Sequence, residues 1–265
     1  MVDVTFLGTG GAFSAGRRSN LALLIEASDF RMLVEAGPTI IQQLARIHLP
    51  AAEIEQLFVS HAHGDHTLGF PMLALSQCEV PSSLHVYAGP NTVATLENLC
   101  TLAYPDVAPR CFNLHWHALS EDGPGEIDLG GGITLRTATV PHPPGIPTLA
   151  ARWDLDGLSV TFATDTCPCA ATVELAHGSD ILIHEASYSA VLQPDADPAA
   201  YCHSSAQQAG EIARQAGCPR LALVHLGQEI GEHPDVLAEE ARAGTGLDVI
   251  VPEDGERIHL GRGAQ

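Results

Sequence analysis

Residues 60–70 read SHAHGDHTLGF, and within six positions stand His61, His63, Asp65 and His66. Neutral imidazole nitrogen and carboxylate oxygen are the donors that suit zinc and similar divalent ions. The cluster follows the apolar run Leu57, Phe58, Val59, so it leaves the end of an expected strand. On such a loop alternate residues can project the same way: His61 and His63 can reach one ion while Asp65 and His66 reach a second, with Gly64 turning the backbone between the pairs. Desolvating three imidazoles and a carboxylate together is costly without a cation, which weighs against a purely structural role for the cluster. A dinuclear site needs further ligands. His142 in TVPHPP, Asp165 in TFATDT and His225 in LALVHLG each stand just beyond a strand-like run, which puts them at one edge of the sheets. Taken singly, His142 or His225 would serve equally as a hydrogen-bonded core histidine, and Asp165 as a turn residue.

The elements that must position these groups are legible as strand-like runs over 2–7, 21–26, 32–35, 56–60, 84–87, 133–140, 149–154, 159–163, 181–184, 221–225 and 247–251. Helical patterns lie between several of them. Residues 38–48 carry Ile40, Ile41, Leu44 and Ile47 on one stripe, 90–99 open with proline at a first turn, and 205–216 stop at Gly217. The early part is richer in hairpin-like pairs than a doubly wound fold, which favours two sheets with helices outside over one parallel sheet. Residues 120–132, SEDGPGEIDLGGG, form the clearest loop and could connect two halves of one domain spanning 1–265.

Composition narrows the function. At 265 residues and 45% hydrophobic content the chain can bury a full core. No stretch approaches the roughly 20 apolar residues of a membrane span, and the seven scattered cysteines make no disulfide framework, so a soluble, cytoplasmic protein is expected. The net charge is −20, lysine is absent, and all 12 basic residues are arginine. Such a surface repels polyanions at long range, which argues against a large nucleic-acid partner, while small anionic substrates remain compatible because a metal ion dominates the field inside a site.

At this point the residues carry a resemblance. The segments LGTGGAF, SHAHGDHTLGFP, LHVYAGPNTVATLENL, ATDTCPCAATVELAHGSDILIHEASY and HSSAQQAGEIARQAGCPRLALVHLG make the chain similar to metallo-β-lactamase-fold hydrolases. Within that superfamily it resembles the ribonuclease Z and phosphodiesterase branch, because IHEASY and HSSAQQA look like the paired glutamate and histidine segments of that branch. The resemblance implies an α/β fold of the αββα sandwich type, commonly dimeric, holding two divalent ions. It implies His61, His63 and His142 on one ion, Asp65, His66 and His225 on the other, and Asp165 bridging. The flavodiiron variant of such a site has a carboxylate where His63 stands, so hydrolytic zinc, with manganese as second choice, is favoured over redox iron. The expected chemistry is attack on phosphorus by water that the ions deprotonate, with Asp65 as a partner of the nucleophile. His203 would protonate the leaving oxygen, oriented by Glu185. The alternative for Glu185 and His203 is a buried structural pair.

Other groups carry less. Cys167 and Cys169 flank Pro168; such a C-x-C pair could serve a third metal or a redox couple, but the stronger expectation is that Pro168 starts a helix and both cysteines pack. His115 and His117 alternate with Trp116 and are expected to face solvent on one side; His48, His85, His177, His184, His233 and His259 have no pattern beyond structural use. Arg17, Arg18 and Asn20 are candidates for a substrate phosphate or for plain solvation.

The chain also departs from the branch. The long arm by which some tRNA-processing enzymes grip their substrate is absent between His142 and Asp165, and HLGQEIGEH lacks their serine-rich, arginine-containing continuation after the last ligand. The leading expectation is therefore a dinuclear-metal phosphodiesterase for small or medium diesters, cyclic nucleotides and alkyl or aryl diesters included. The alternatives are a ribonuclease Z-type pre-tRNA 3′ endonuclease, an arylsulfatase, lactonase or β-lactamase-type hydrolase, and a non-catalytic metal-binding sensor. A sensor has no use for a leaving-group acid such as His203.

Overall fold

Residues 158–163, LSVTFA, are buried at every position, which requires cover on both faces of the strand they form. A computed structural model, describing residues 1–13, 17–79, 83–107 and 113–261, shows what supplies that cover. This strand, β10 (Leu158–Ala163), sits mid-sheet between β9 (Thr148–Leu155) and β11 (Ile181–Glu185). Its Leu158, Val160 and Phe162 enter a core shared with a second sheet, while Ala163 faces a different core under helices. The alternation is the period-two geometry of a pleated strand, applied where both faces are dry.

Two seven-stranded sheets result. The first runs β14 (Glu256–Leu260), β1 (Val2–Gly8), β2 (Ala22–Ala27), β3 (Phe30–Val34), β4 (Gln56–Val59), β5 (Leu84–Ala88), β6 (Leu114–Ala118). The second runs β13 (Asp248–Ile250), β12 (Arg220–Val224), β11, β10, β9, β8 (Ile133–Val140), β7 (Gly125–Gly130). In each sheet part is antiparallel, and the chain then changes to parallel pairing, from β3 to β6 and from β10 to β13. Between the sheets Phe6, Phe58, Phe162 and Trp153 share one core, with Phe58 and Trp153 meeting edge-on at 5.5 Å. Outside the first sheet lie α1 (Ile40–Arg46), α3 (Phe70–Ser76) and α4 (Pro90–Ala103); a one-turn helix, α2 (Gly64–Thr67), follows β4. Outside the second lie α5 (Ala170–Ala176), α6 (Ala206–Ala216) and α7 (Pro234–Arg242). The expected αββα sandwich is present.

Several expectations shift. The segment 120–132 is not all loop: β7 occupies Gly125–Gly130 because Ile127 and Leu129 alternate with Glu126 and Asp128 and pack their apolar chains on the inter-sheet core. It does join the two sheets, since β6 ends one and β7 begins the other. Strand β14 carried no strong apolar run, yet it returns to pair with β1 from Val2↔Leu260 to Phe6↔Glu256. Helix α5 begins at Ala170 with Cys169 as its N-cap, two residues later than expected from Pro168. His115 is exposed, but His117 is half-buried, 2.9 Å from His85 and stacked on Tyr87.

Helix α6 shows local and tertiary rules in agreement. Ser205 caps it through a reciprocal box with Gln208, and Gly217 ends it in the left-handed region at φ 68°. Inside it, Gly210 lets α7 approach so closely that an added Cβ would lie 2.2 Å from the Ala241 carbonyl oxygen. Gly210→Ala therefore opposes two effects: a helix-propensity gain of about 1 kcal/mol and a clash with rigid backbone costing about 1–3 kcal/mol or more. We expect the clash to win, lowering the urea midpoint; a variant as stable as the parent would show that the helices are not this close.

Candidate metal centre

Apart from His203, which lies in the loop leading into α6, the chemically suggestive residues come from C-terminal strand ends. Glu35 follows β3, the cluster 60–66 follows β4, His142 lies just past β8, Asp165 past β10, Glu185 ends β11, and His225 follows β12. β3 and β4 are parallel, as are β10, β11 and β12. β8 and β10 are both antiparallel to β9, so two reversals restore a common direction and deliver His142 to the same edge. The sheets are tied there by Leu149 N–H to the Ser60 carbonyl and Leu226 N–H to the Thr9 carbonyl, each at 3.1 Å. Glu35, Asp165 and His225 hold left-handed backbone at φ 68°, 52° and 53°, conformations that cost free energy in non-glycine residues and concentrate at functional sites. Gly37 is needed because a Cβ there would meet the Asp65 carbonyl at 1.9 Å.

Two nests of ligand atoms form around one carboxylate. His61 Nε2 and His142 Nε2 lie 3.0 and 3.1 Å from His63 Nδ1, and 3.6 and 3.8 Å from Asp165 Oδ2. On the other side, Asp65 Oδ2 is 3.3 Å from both His66 Nε2 and His225 Nε2, which stand 3.6 and 3.2 Å from Asp165 Oδ1. Ligand atoms about 2.0–2.2 Å from a tetrahedral zinc lie roughly 3.3–3.5 Å apart, so both nests fit a small divalent ion. Asp165 presents one oxygen to each. His66 Nε2, fully buried, makes no well-aligned hydrogen bond in spite of its two carboxylate neighbours. A third group, Glu185, His203 and His225, adjoins the second nest; no cysteine joins any of these groups among the described residues.

The electrostatics suit cations. Burial, aided by neighbouring imidazoles, pushes His61 well below the usual histidine range and lowers His63, and it takes His142 down to about 4, so these three stay neutral with lone pairs available. For Asp165 burial works against ionisation, but His225, His66 and His61 overrule it and hold the carboxyl ionised. Asp65 is likewise held below the carboxylate range against burial, by His225 and His66. Burial also opposes charge on His203, but a 2.9 Å bond from its Nδ1 to Glu185 Oε1 raises it to about 9.

The structure brings His61, His63, Asp65, His66, His142, Asp165 and His225 together, with Glu185 and His203 beside them. It also supplies residues that sequence reading passed over. Glu35, 0% exposed, accepts from Ser60 N–H at 3.3–3.4 Å and stands 3.4 Å from His66 Nδ1. Its placement at the end of an apolar run is the same signal that singled out Asp165. Ser187 bridges Glu185 and His225. Arg18, in contrast, is not free for a phosphate: it donates to Gly231 O, Thr9 Oγ1 and Pro252 O at 3.1, 2.6 and 2.7 Å. Asn20 is engaged with Gly11 and Thr39. Arg17 is exposed at the rim of a cavity shared with Gln228 and Glu232.

Comparison with known proteins agrees with this fold. The family model described as "Beta-lactamase superfamily domain" matches residues 30–226. Ribonuclease Z of Haloferax volcanii is 28% identical over 97% of this chain and 94% of its own. Among solved structures, a metallo-β-lactamase fold protein from Bacillus subtilis superposes with TM-score 0.82 at 23% identity, covering 97% of this chain and 98% of that one. Human tRNase Z, short form, superposes with TM-score 0.76 at 21% identity over 98% and 99%.

Partners that orient a ligating histidine typically change metal affinity about 10–100-fold when removed. We expect Glu35→Gln to weaken zinc held in the Asp65, His66 and His225 nest about tenfold and Glu35→Ala to approach about a hundredfold, read by competition with a chromogenic chelator. Affinities within about twofold of the parent for both variants would exclude Glu35 from orienting His66.

Proposed function

We propose, for a chain that belongs to the beta-lactamase superfamily domain family and is a metal-dependent hydrolase, that it cleaves phosphodiester bonds at a dinuclear centre. His61, His63 and His142 would hold one divalent ion, Asp65, His66 and His225 the other, and Asp165 both, with zinc favoured by the nitrogen-rich set. Bound there, the ions supply Lewis acidity toward a phosphoryl group and a lowered pKa for water.

The chain's own residues do the rest. The Asp65 side chain is 13% exposed against 3% for Asp165, so it is the carboxylate of the set that can take a hydrogen bond from an attacking water. His203 supplies the proton that the departing oxygen needs. Its ring stacks on His225 at 5.6 Å and lies 5.6 Å from His142, so it overlooks both nests. With Nδ1 committed to Glu185, Nε2 is the nitrogen left to face a substrate. The elevated pKa keeps it protonated at neutral pH, as a general acid requires. The Glu185–His203 pair beside two complete ligand nests is the observation that carries this reading, because a diester with a poor alkoxide leaving group needs the proton donor that this pair supplies.

A nuclease activity is the second reading, favoured by the Ribonuclease Z relatives that match along nearly the whole chain. The argument from net charge against a large nucleic acid is weakened by them, for a physical reason: −20 is the charge of the whole chain, whereas two bound cations would reverse the local field where a phosphate docks. Residues 143–164 contribute the β9–β10 hairpin, so any grip on RNA would come from other surfaces.

We expect bis(p-nitrophenyl) phosphate, a cyclic nucleotide or a pre-tRNA to be turned over faster than an aryl sulfate or a lactone by zinc-loaded protein; the reverse order would reject the diester reading. Elemental analysis should return about two ions per chain, and far fewer would remove the dinuclear site. His203→Ala should lose about 10²–10⁴-fold with a poor alkoxide leaving group and much less with p-nitrophenolate. Equal losses with both would mean that His203 is not the acid.

A further inference from the structure

We infer that the Ser187 hydroxyl is a positioning group that locks two sites at once: the ring and tautomer of the metal-facing His225, and the carboxylate that holds His203. The inference rests on the metal-centre reading above. Ser187 lies two residues past the end of β11, and His225 one past β12; the two strands pair in parallel with Glu185 opposite Val224, and Ala186 N–H donates to the Val224 carbonyl at 2.8 Å. The ends are therefore held in register before any side chain acts.

One proton assignment satisfies the side chains of Glu185, His203 and His225. Ser187 Oγ lies 2.6 Å from Glu185 Oε2, 2.9 Å from His225 Nδ1, 3.2 Å from the His225 carbonyl oxygen and 3.4 Å from His203 Nδ1. An ionised glutamate only accepts. Glu185 Oε1 takes the Thr166 N–H at 2.6 Å and the His203 Nδ1–H at 2.9 Å, while Oε2 takes the Ser187 N–H at 3.3 Å and, at the shortest distance, the Ser187 O–H. With that proton spent, Oγ can only accept from His225, so His225 carries its hydrogen on Nδ1. Nε2 is then the coordinating nitrogen, on the side where Asp65 and Asp165 stand 3.3 and 3.2 Å away. The same Nδ1–H is present whether Nε2 holds a metal or a proton.

The hydroxyl thus stands between the group that would anchor the second ion and the group that would protonate the leaving oxygen. Ser187→Ala leaves His225 Nδ1–H without its side-chain acceptor and Glu185 Oε2 without its strongest donor, so both rings lose their orientation together. An inert packing role would move neither readout below.

The test begins with unsubstituted, zinc-loaded protein. Long-range ¹H–¹⁵N NMR should show His225 protonated on Nδ1 and metal-bound through Nε2; the opposite tautomer would overturn the inference with no variant made. In Ser187→Ala, chelator competition should show the second zinc weakened about 10–100-fold and the first unchanged. Ser187→Thr, which keeps the hydroxyl, should restore it. Unchanged zinc affinity in the alanine variant, or equal losses in alanine and threonine variants, would overturn the inference. Failure of the function is separable: parent protein that binds two zinc ions but cleaves no diester would remove the phosphodiesterase reading and leave the role of Ser187 standing.

Discussion

A carboxylate buried to 2% exposure is costly in free energy unless positive charge meets it, and Asp165 is such a group. Its two oxygens look in different directions, one toward His61 and His142 and the other toward His66 and His225. Those partners come from both sheets, so the electrostatic demand of one side chain is met only when the sandwich is closed and in register. Glu35 and Glu185, both 0% exposed, extend the same demand outward, the first standing 3.4 Å from His66 Nδ1 and the second accepting from His203. The centre is therefore a balance of buried acids against imidazoles and, with ions in place, cations. The net charge of −20 belongs to the whole chain and counts these buried acids as well.

The sandwich meets that demand by direction as much as by packing. Parallel pairing sends β3 and β4 in one direction and β10 to β12 in one direction, and the double reversal through β9 adds β8. Apolar cover on both sheet faces makes the strands rigid up to their last residue, and the chemistry begins at the next one. The left-handed backbone of Glu35, Asp165 and His225 is held by that rigidity.

Much of this was legible in sequence because it rests on local pattern. An apolar run ending in His, Asp or Glu marks a strand delivering a polar group, and all seven proposed ligands carry that mark or lie in the 61–66 cluster. What escaped depends on distant partners. β7 looked like loop because only Ile127 and Leu129 alternate with charge, and an edge strand needs no more than that. β14 exists because β1 offers it a free edge. In sequence Arg18 is open to a substrate phosphate or to plain solvation, and only Gly231 and Pro252, more than 200 residues away, show that it does neither. Ser187 carries no signal of its own, since a serine two residues after a glutamate is ordinary until His225 arrives beside it.

The return of β14 to β1 has a consequence for how the molecule comes into being. Val2 pairs with Leu260, Asp65 meets His225 across 160 residues, and Asp254 accepts from the Thr9 amide and hydroxyl and the Ser19 amide. Contacts of such separation slow folding, because chain entropy is lost before they repay it. During synthesis the first sheet lacks an edge strand until residues 256–260 have left the ribosome, and its histidine cluster lacks the last of its partners until His225 has emerged. A nascent chain is thus without the complete centre, and its exposed β1 edge and apolar inter-sheet face are the surfaces a chaperone would have to shield.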